Sequence, residues 1–491
     1  LCAGRQCAKQ VVVRAGYPQA ENDVRKTSLT FVAALAVLSS TPAAAQPSEA
    51  NRAALREIYE EMVEIDSSPT TGSCTKVVRA AETRLLAAGY TPADVQVIIP
   101  PDRPDDGNLV ATLRSPRATK KGVLLMGHID VVDARREDWE RDPFTLIEEN
   151  GFFFGRGTAD MKGQASIWLE LMIRLRKEAG FRPSRDLVMA LTCGEETSNR
   201  INGIDYILKN HRELFDVAFA LNEGAGGLLS DDGRPLVLQV QAGEKIHQVY
   251  TLEATNPGGH SSRPTPDNAI YRVVAAADKV SKLSFPIQLT PVVREYFRIT
   301  GPILGGGVGA AMSILARYPD DPAALRVLMA DPTYNAALHT TCVATQFEAG
   351  HAPNALPQRA TVTLSCRVMQ GTTPEQVQET LEGAINDPEV KVSIVRRRDG
   401  SSAPPLTEEI MGPIRTQAAR IWPDVPIAPL MTAGATDGRF TMNAGIPTYG
   451  LSGMFAKSGE TNAHGLNEKL RVTSLYEAQQ FLEGVIRAYL K

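Results

Sequence analysis

Residues 122–132 read GVLLMGHIDVV. The uncharged run 122–127 is bounded by glycines and meets His128 and Asp130 at once. That length and composition suit a short strand buried on both faces. Residues two apart on a strand share a face, so His128 and Asp130 can aim together. Two similar runs follow: LVMALT (187–192), leading into Cys193-Gly194-Glu195-Glu196, and VAFAL (217–221), leading into Asn222-Glu223. A helix-like stretch, 166–177, separates the first two. Short apolar runs alternating with helices predict a largely parallel sheet covered on both faces.

The pattern extends in both directions. Toward the N-terminus, Leu55, Ile58, Tyr59, Met62 and Val63 recur at helical spacing within 47–66. A second helix is expected over 75–88, stopped by Gly89. Toward the C-terminus, the run 446–451 and a helix over 475–490 belong to the same pattern. After Gly243 the pattern changes. Residues 248–254, 344–348 and 360–366 alternate like half-exposed strands, with helices expected over 267–283 and 376–385 and a last strand over 390–395. Such a mixture predicts a separate α+β unit. The fold class is therefore α/β: one domain made of 46–244 and 399–491, interrupted by an inserted domain, 245–398. The turn-rich segment 399–405 (DGSSAPP) marks the second boundary. Residues 286–340, rich in Pro and Gly, resist assignment and are read as an elaboration of the insert.

A length of 491 residues, 43% hydrophobic and 22% charged, is that of a soluble globular protein with more than one domain. The net charge of −4 and the lack of a long basic run exclude nucleic acid as the first partner to consider. Near the N-terminus, Arg25-Lys26, an apolar stretch over 29–38 and Thr41-Pro42-Ala43-Ala44-Ala45 form the pattern of a secretory leader, with cleavage expected after Ala45. The apolar core is too short to span a membrane, so no stable membrane insertion is expected. A buried N-terminal helix is the competing reading. Residues 1–45 form the upstream segment and leader, and the expected location is periplasmic or secreted. Of six cysteines, Cys74, Cys193, Cys342 and Cys366 lie beyond the leader, with no Cys-x-x-Cys pair. Cys342 and Cys366 sit in strand-like runs on either side of a turn near Asn354. A disulfide and two buried thiols are equally compatible with that placement.

The acids and histidines collect just past the ends of the apolar runs. His128 follows the first, Glu195-Glu196 the second and Glu223 the third. Asp160 follows the Gly155-Arg156-Gly157 turn, and a Gly/Ser-rich loop leads from 446–451 to His464. In open α/β sheets ligands bind beyond the carboxyl ends of the strands. A histidine beside an acid can be a satisfied core pair; five such donors gathered at one edge point to a metal centre. Adjacent Glu195 and Glu196 diverge on extended backbone, so one can bind metal while the other handles protons.

The stretches MGHIDVV (126–132), GRGTADMKGQ (155–164), GEET (194–197), ALNEG (220–224), PGGHSSRP (257–264), NALP (354–357), TDGRF (436–440) and HGLNE (464–468), in this order, resemble the dinuclear-zinc aminoacylase and carboxypeptidase family. Acetylornithine deacetylase, succinyl-diaminopimelate desuccinylase, glutamate carboxypeptidase and Gly-X carboxypeptidase belong to it. The resemblance covers nearly all of the chain beyond the leader. It implies a zinc-exopeptidase catalytic domain interrupted by a lid or dimerisation domain. It implies two Zn2+ ions, for which ions such as Co2+ can substitute, with Asp160 bridging them, His128 and Glu223 completing one and Glu196 and His464 the other. Glu195 would be the general base and Asp130 would orient His128. His260 would reach the active site of a second copy in a homodimer and steady the oxyanion. Asn354 and Arg367 would contact the substrate, Arg367 as a fork for a carboxylate or else as an ordinary strand ion pair. Gly434 and Thr436 would line the pocket. His211, His247, His339 and His351 match no ligand position, although His351 lies close enough to Asn354 in sequence to enter the pocket. Two departures stand out: Gly194 after Cys193, and Cys366, occupy places where relatives often carry Asp.

The expected activity is hydrolysis of a peptide by a carboxypeptidase or dipeptidase. An N-acyl-amino-acid amidohydrolase is the nearest alternative. A non-catalytic peptide-binding protein is a third, which would be expected to have lost Glu195 or a ligand; all are present.

Overall fold

The computed structural model describes residues 48–197, 199–398, 400 and 402–491. The leader and its cleavage site lie outside the described residues. The first described helix, Glu49–Glu64, starts at Ser48, whose hydroxyl accepts from the Asn51 amide, and it buries the five apolar residues that betray it in sequence.

The main sheet is built around the stretch 122–132. Strand Gly122–His128 is buried along its whole length and lies between Leu187–Thr192 and Val217–Asn222, parallel to both. Thr448–Gly450 continues the parallel set beside Val217–Asn222. Register then decides where the chemistry goes. His128 pairs with Thr192, and Asn222 with Gly450, so the segments after each strand leave the sheet at one edge. One face is covered by Glu49–Glu64, Cys74–Ala87, Gly163–Lys177 and Val472–Tyr489 around Trp168 and Phe481. The other carries Gly203–Asn210 with Ile204, Ile207 and Phe215. Each central strand is therefore apolar on both sides, as parallel strands between two helical layers must be.

Besides Val95–Ile98, Asn108–Leu113, Gly227–Leu229 and Phe455–Ala456, two longer strands of this sheet went unrecognised in the sequence. Pro235–Glu244 extends it past Thr448–Gly450, and Ile427–Thr432 lies parallel to Pro235–Glu244. Each contains or begins with a proline, at the edge of the parallel set, which obscures a strand signal.

The four strands of the second sheet run in the order Thr341–Ala349, Arg359–Val368, Ile246–Thr255, Val390–Arg396, all antiparallel. The alternation read in 248–254 and 360–366 becomes an apolar face that packs under helices Ala269–Ser281 and Pro374–Ile385. Cys342 and Cys366 are direct cross-strand partners and are disulfide-bonded, which resolves the two alternatives left by their sequence positions. Cys74 and Cys193 form a second disulfide that sequence reading missed.

Residues 286–340, unassigned from sequence, contain four helices: Pro291–Leu304, Gly306–Arg317, Pro322–Met329 and Pro332–Leu338. Thr290, Asp321 and Asp331 cap three of them, each followed by Pro at the first helical position. That cap-plus-proline signature was legible. Their core, Phe297, Met312, Leu315 and Leu328, includes Met369 beside the second sheet but also Met431 on a strand of the main sheet. The segment therefore does more than elaborate the insert; it packs against both sheets.

Candidate metal centre and cleft

Asp160 stands at the centre of the sheet edge. Its Oδ1 lies 3.0 Å from His128 Nε2 and its Oδ2 3.1 Å from His464 Nε2. Glu223 Oε2 approaches the same His128 nitrogen at 3.5 Å, and Glu196 Oε2 the same His464 nitrogen at 2.8 Å. The result is two donor groups, His128-Asp160-Glu223 and Asp160-Glu196-His464, each with its ligand atoms within 4.8 Å of one another and with Asp160 in common.

Each donor is held in place by local structure. His128 Nδ1 lies 3.1 Å from the carbonyl oxygen of Asp130. A carbonyl only accepts, so Nδ1 carries a proton and Nε2 is the ring atom turned toward the carboxylates. The expected orienting role of the Asp130 side chain needs correction here. Its carboxylate is 3.8 Å from the ring and instead accepts the amides of Glu195, at 3.3 Å, and Glu196, at 3.1 Å. Asp130 is fully buried and anchors the Glu-Glu loop. Gly194 explains its own departure from relatives. It has φ +84, and a Cβ there would stand 2.4 Å from the Ile201 carbonyl oxygen. The Cys74–Cys193 disulfide ties down the preceding residue.

Asp160 is held through its backbone. The buried Glu468 accepts from the amides of Ala159, at 2.8 Å, and Asp160, at 3.0 Å, and pairs with Arg156 at 2.8 Å. His464 itself adopts the left-handed region, with φ +63.

The electrostatics follow from five acids and two imidazoles in one partly buried place. Burial works against charge on His128, but Glu223 and Asp160 outweigh it and raise its pKa well above the usual value. Hydrogen bonds to Asp160 and Glu196 push His464 up to about 10. Asp160 is driven below the usual carboxylate range by its two histidines, against the cost of burial. Burial, and next the Glu223 carboxylate, push Glu195 up to about 10. Asp437, which sequence reading passed over, is buried beside them and accepts from Asn202 at 2.5 Å; burial lifts it to about 6.

A cleft of 740 Å³ opens over this edge. Glu195, Glu196 and His464 form one part of its wall, and Gly434 and Arg367 line it as expected. Thr436 lies deeper, lining a smaller pocket with Asn222 and Glu223, its amide and hydroxyl both donating to Glu244 at 2.9 Å. His247, Arg396, Arg398 and Arg439 also line the cleft and were not singled out from sequence. They come from strand ends and a helix start whose convergence no local pattern reveals.

His260 and Asn354 lie together but outside the cleft. Gly259–His260 pairs with Ala355–Leu356, and the Ser261 amide donates to the Asn354 carbonyl at 3.0 Å. Both side chains are exposed. His260 Nδ1 accepts from the Ser262 amide at 3.2 Å, which leaves the proton on Nε2. His351 is exposed and does not line the cleft.

A model of peptidase family M20/M25/M40 matches residues 124–488. The human N-fatty-acyl-amino acid synthase/hydrolase PM20D1 is 27% identical over 387 residues, covering 75% of this chain and 74% of that protein. A probable carboxypeptidase S-like 2 from Dictyostelium discoideum is 29% identical over 381 residues, covering 75% and 71%. In fold, the chain is similar to the M20 metallo-carboxypeptidase Sso-CP2 of Sulfolobus solfataricus, with a TM-score of 0.63 at 18% identity over 89% of this chain and 99% of that one. Human carnosine dipeptidase 1 gives a TM-score of 0.60 at 16% identity, covering 90% and 97%.

Proposed function

The chain belongs to peptidase family M20/M25/M40 and hydrolyses an amide bond, and from that premise we propose that it is an exported carboxypeptidase or dipeptidase that uses two zinc ions with Glu195 as general base. The observation that carries this reading is the two-sided engagement of Asp160, one carboxylate oxygen toward His128 and the other toward His464. His128, Asp160 and Glu223 would hold one zinc ion and Asp160, Glu196 and His464 the other, a set of nitrogen and oxygen donors that suits zinc. When bound, such ions supply Lewis acidity, making water a nucleophile at neutral pH and polarising the scissile carbonyl.

The chain's own residues do the rest. Glu195 belongs to neither donor group, lines the cleft and is held by its amide to Asp130. It takes the proton of the attacking water on its carboxylate and returns it to the leaving nitrogen. His128 lowers the Glu195 pKa, and ions held by the neighbouring acids would act on it in the same direction, toward the range a base requires. In the proposed homodimer His260 of a second copy donates from Nε2 to the oxyanion, and the 245–398 segment serves as lid and dimerisation domain. The leader-like segment before residue 46 and the two disulfides support an oxidising, extracytoplasmic location.

One observation favours a second reading, an N-acyl-amino-acid amidohydrolase. An apolar cavity of 270 Å³ lined by Tyr296, Phe297, Leu430 and Met431 reaches Thr432 and Ala433, next in the chain to Gly434 of the cleft wall, and has the character of an acyl site. The relative PM20D1 is named for N-fatty-acyl amino acids.

The test pairs two variants. E195Q lowers kcat by about 10²–10⁴ with metal content retained. Co-expressing E195Q with H260A restores about a quarter of the wild-type sites, because a mixed dimer holds one intact site in two. Undiminished turnover in E195Q refutes the mechanism, and no recovery in the mixture refutes the shared site.

A further inference from the structure

Five arginines line the cleft; Arg200 pairs with Asp106 at 3.3 Å, and the guanidiniums of the other four converge facing the metal centre. Arg367 comes from strand Arg359–Val368, Arg396 and Arg398 from the end of Val390–Arg396 and just beyond it, and Arg439 from the start of helix Gly438–Asn443. None of the four pairs with a carboxylate among the described residues. The acids of the same cleft are engaged elsewhere: Glu196 with His464 at 2.8 Å, Asp205 with Lys209 at 2.6 Å, and Glu195 as the base.

The cluster is built rather than incidental. Gln248, fully buried, accepts from the Arg398 amide at 2.9 Å and donates to the Arg396 carbonyl at 2.6 Å, fixing the strand end that carries both arginines. His247 lies between them and Arg367, with Nδ1 accepting from Arg398 at 3.4 Å and Nε2 3.0 Å from the Ser365 hydroxyl. The ring is thus neutral, and burial together with Arg367, Arg398 and Arg439 lowers its pKa to about 4. Arg439 feels the buried Asp437 and Glu244 at a distance, but like charges crowded together without a directly paired carboxylate cost stability, and such a cost is retained where a ligand supplies the pairing anion.

A single α-carboxylate occupies one guanidinium fork. Four arginines exceed what that group requires. We infer that the residue released by this hydrolase is acidic, an aspartate or glutamate, with its α-carboxylate and side-chain carboxylate shared among Arg367, Arg396, Arg398 and Arg439. The inference rests on the hydrolase reading for its reaction, but the anion site itself stands on the arginines alone.

Two measurements on the zinc-loaded protein test it. The first compares glycyl and N-acetyl derivatives of Glu, Asp, Ala and Lys. The expected result is kcat/KM for Glu or Asp at least about tenfold above Ala and Lys, with R398Q or R396Q raising KM for the acidic substrate about tenfold more than for the Ala one. Equal or better cleavage of the Ala or Lys substrates overturns the inference, as does an effect of both variants that is the same for all substrates. The second is calorimetric titration with glutarate and with butyrate at matched ionic strength. Glutarate is expected to bind at least about tenfold tighter, and R398Q to remove the difference. Glutarate binding no tighter than butyrate overturns the anion site. Should no amide be cleaved while glutarate discrimination holds, the hydrolase reading fails and the dicarboxylate site remains.

Discussion

Arg156 and Glu468 form a buried ion pair of 2.8 Å, and the same Glu468 carboxylate holds the backbone amide of Asp160 at 3.0 Å. The loop that presents the shared ligand is therefore fastened to the loop that presents His464, four residues before Glu468. The side chains of Arg156 and Glu468 are 3% and 1% exposed. E468Q removes the charge and strands Arg156. The expected cost is about 3–5 kcal/mol of stability and about 10–100-fold in metal affinity. Denaturant titration and competition with a zinc chelator measure the two, and an E468Q variant with wild-type zinc affinity contradicts the anchoring role.

Because Asp160 belongs to both donor groups and Glu196 to one, their substitutions differ in kind. D160N is expected to lose both ions and E196Q mainly one. Removal of metal with a chelator is expected to abolish turnover in the wild type, with zinc or cobalt restoring it. Elemental analysis of the purified proteins gives the stoichiometries. Equal metal loss in the two variants refutes the shared bridge.

The disulfides close loops of different length, with sequence separations of 119 for Cys74–Cys193 and 24 for Cys342–Cys366. Chain entropy assigns about 5 kcal/mol to the first and about 3.5 kcal/mol to the second. C74S/C193S is therefore expected to lower Tm more than C342S/C366S. It alone is expected to lower kcat, because Cys193 precedes the Gly194-Glu195-Glu196 turn.

His247 sets an acid limit to stability. Its pKa in the folded protein, about 4, lies below the usual 6.5. Between those values the unfolded chain binds a proton that the folded one refuses, so this group's contribution is lost as pH falls from about 6.5 to about 4. H247Q has no such loss. The Tm of the wild type minus that of H247Q is expected to be smaller at pH 4.5 than at pH 7. A gap independent of pH contradicts the neutral imidazole.

Much of this molecule was legible because burial leaves a periodic trace. The runs at 122–127, 187–192 and 217–221 announced their strands, and His128, Glu196 and Glu223 followed as residues just past strand ends. Pro235–Glu244 escaped because its proline and mixed polarity imitate a loop. Asp437 escaped because a lone buried acid has no local signature. Asp130 was placed near the right partners but with the wrong contact, since strand periodicity tells which face a side chain shares and not which amide it accepts.

The sequence by itself determined the central strands and the helices that cover them, and which donors sit at the strand ends, because local hydrophobic periodicity and turn chemistry act over a few residues. Only the tertiary structure decided that Asp160 meets both histidines, that Cys74 finds Cys193, and that Arg367, Arg396, Arg398 and Arg439 share one cleft. These meetings depend on strand order and register across tens to hundreds of residues, where side chains with no local pattern in common are brought together by how the two sheets pack.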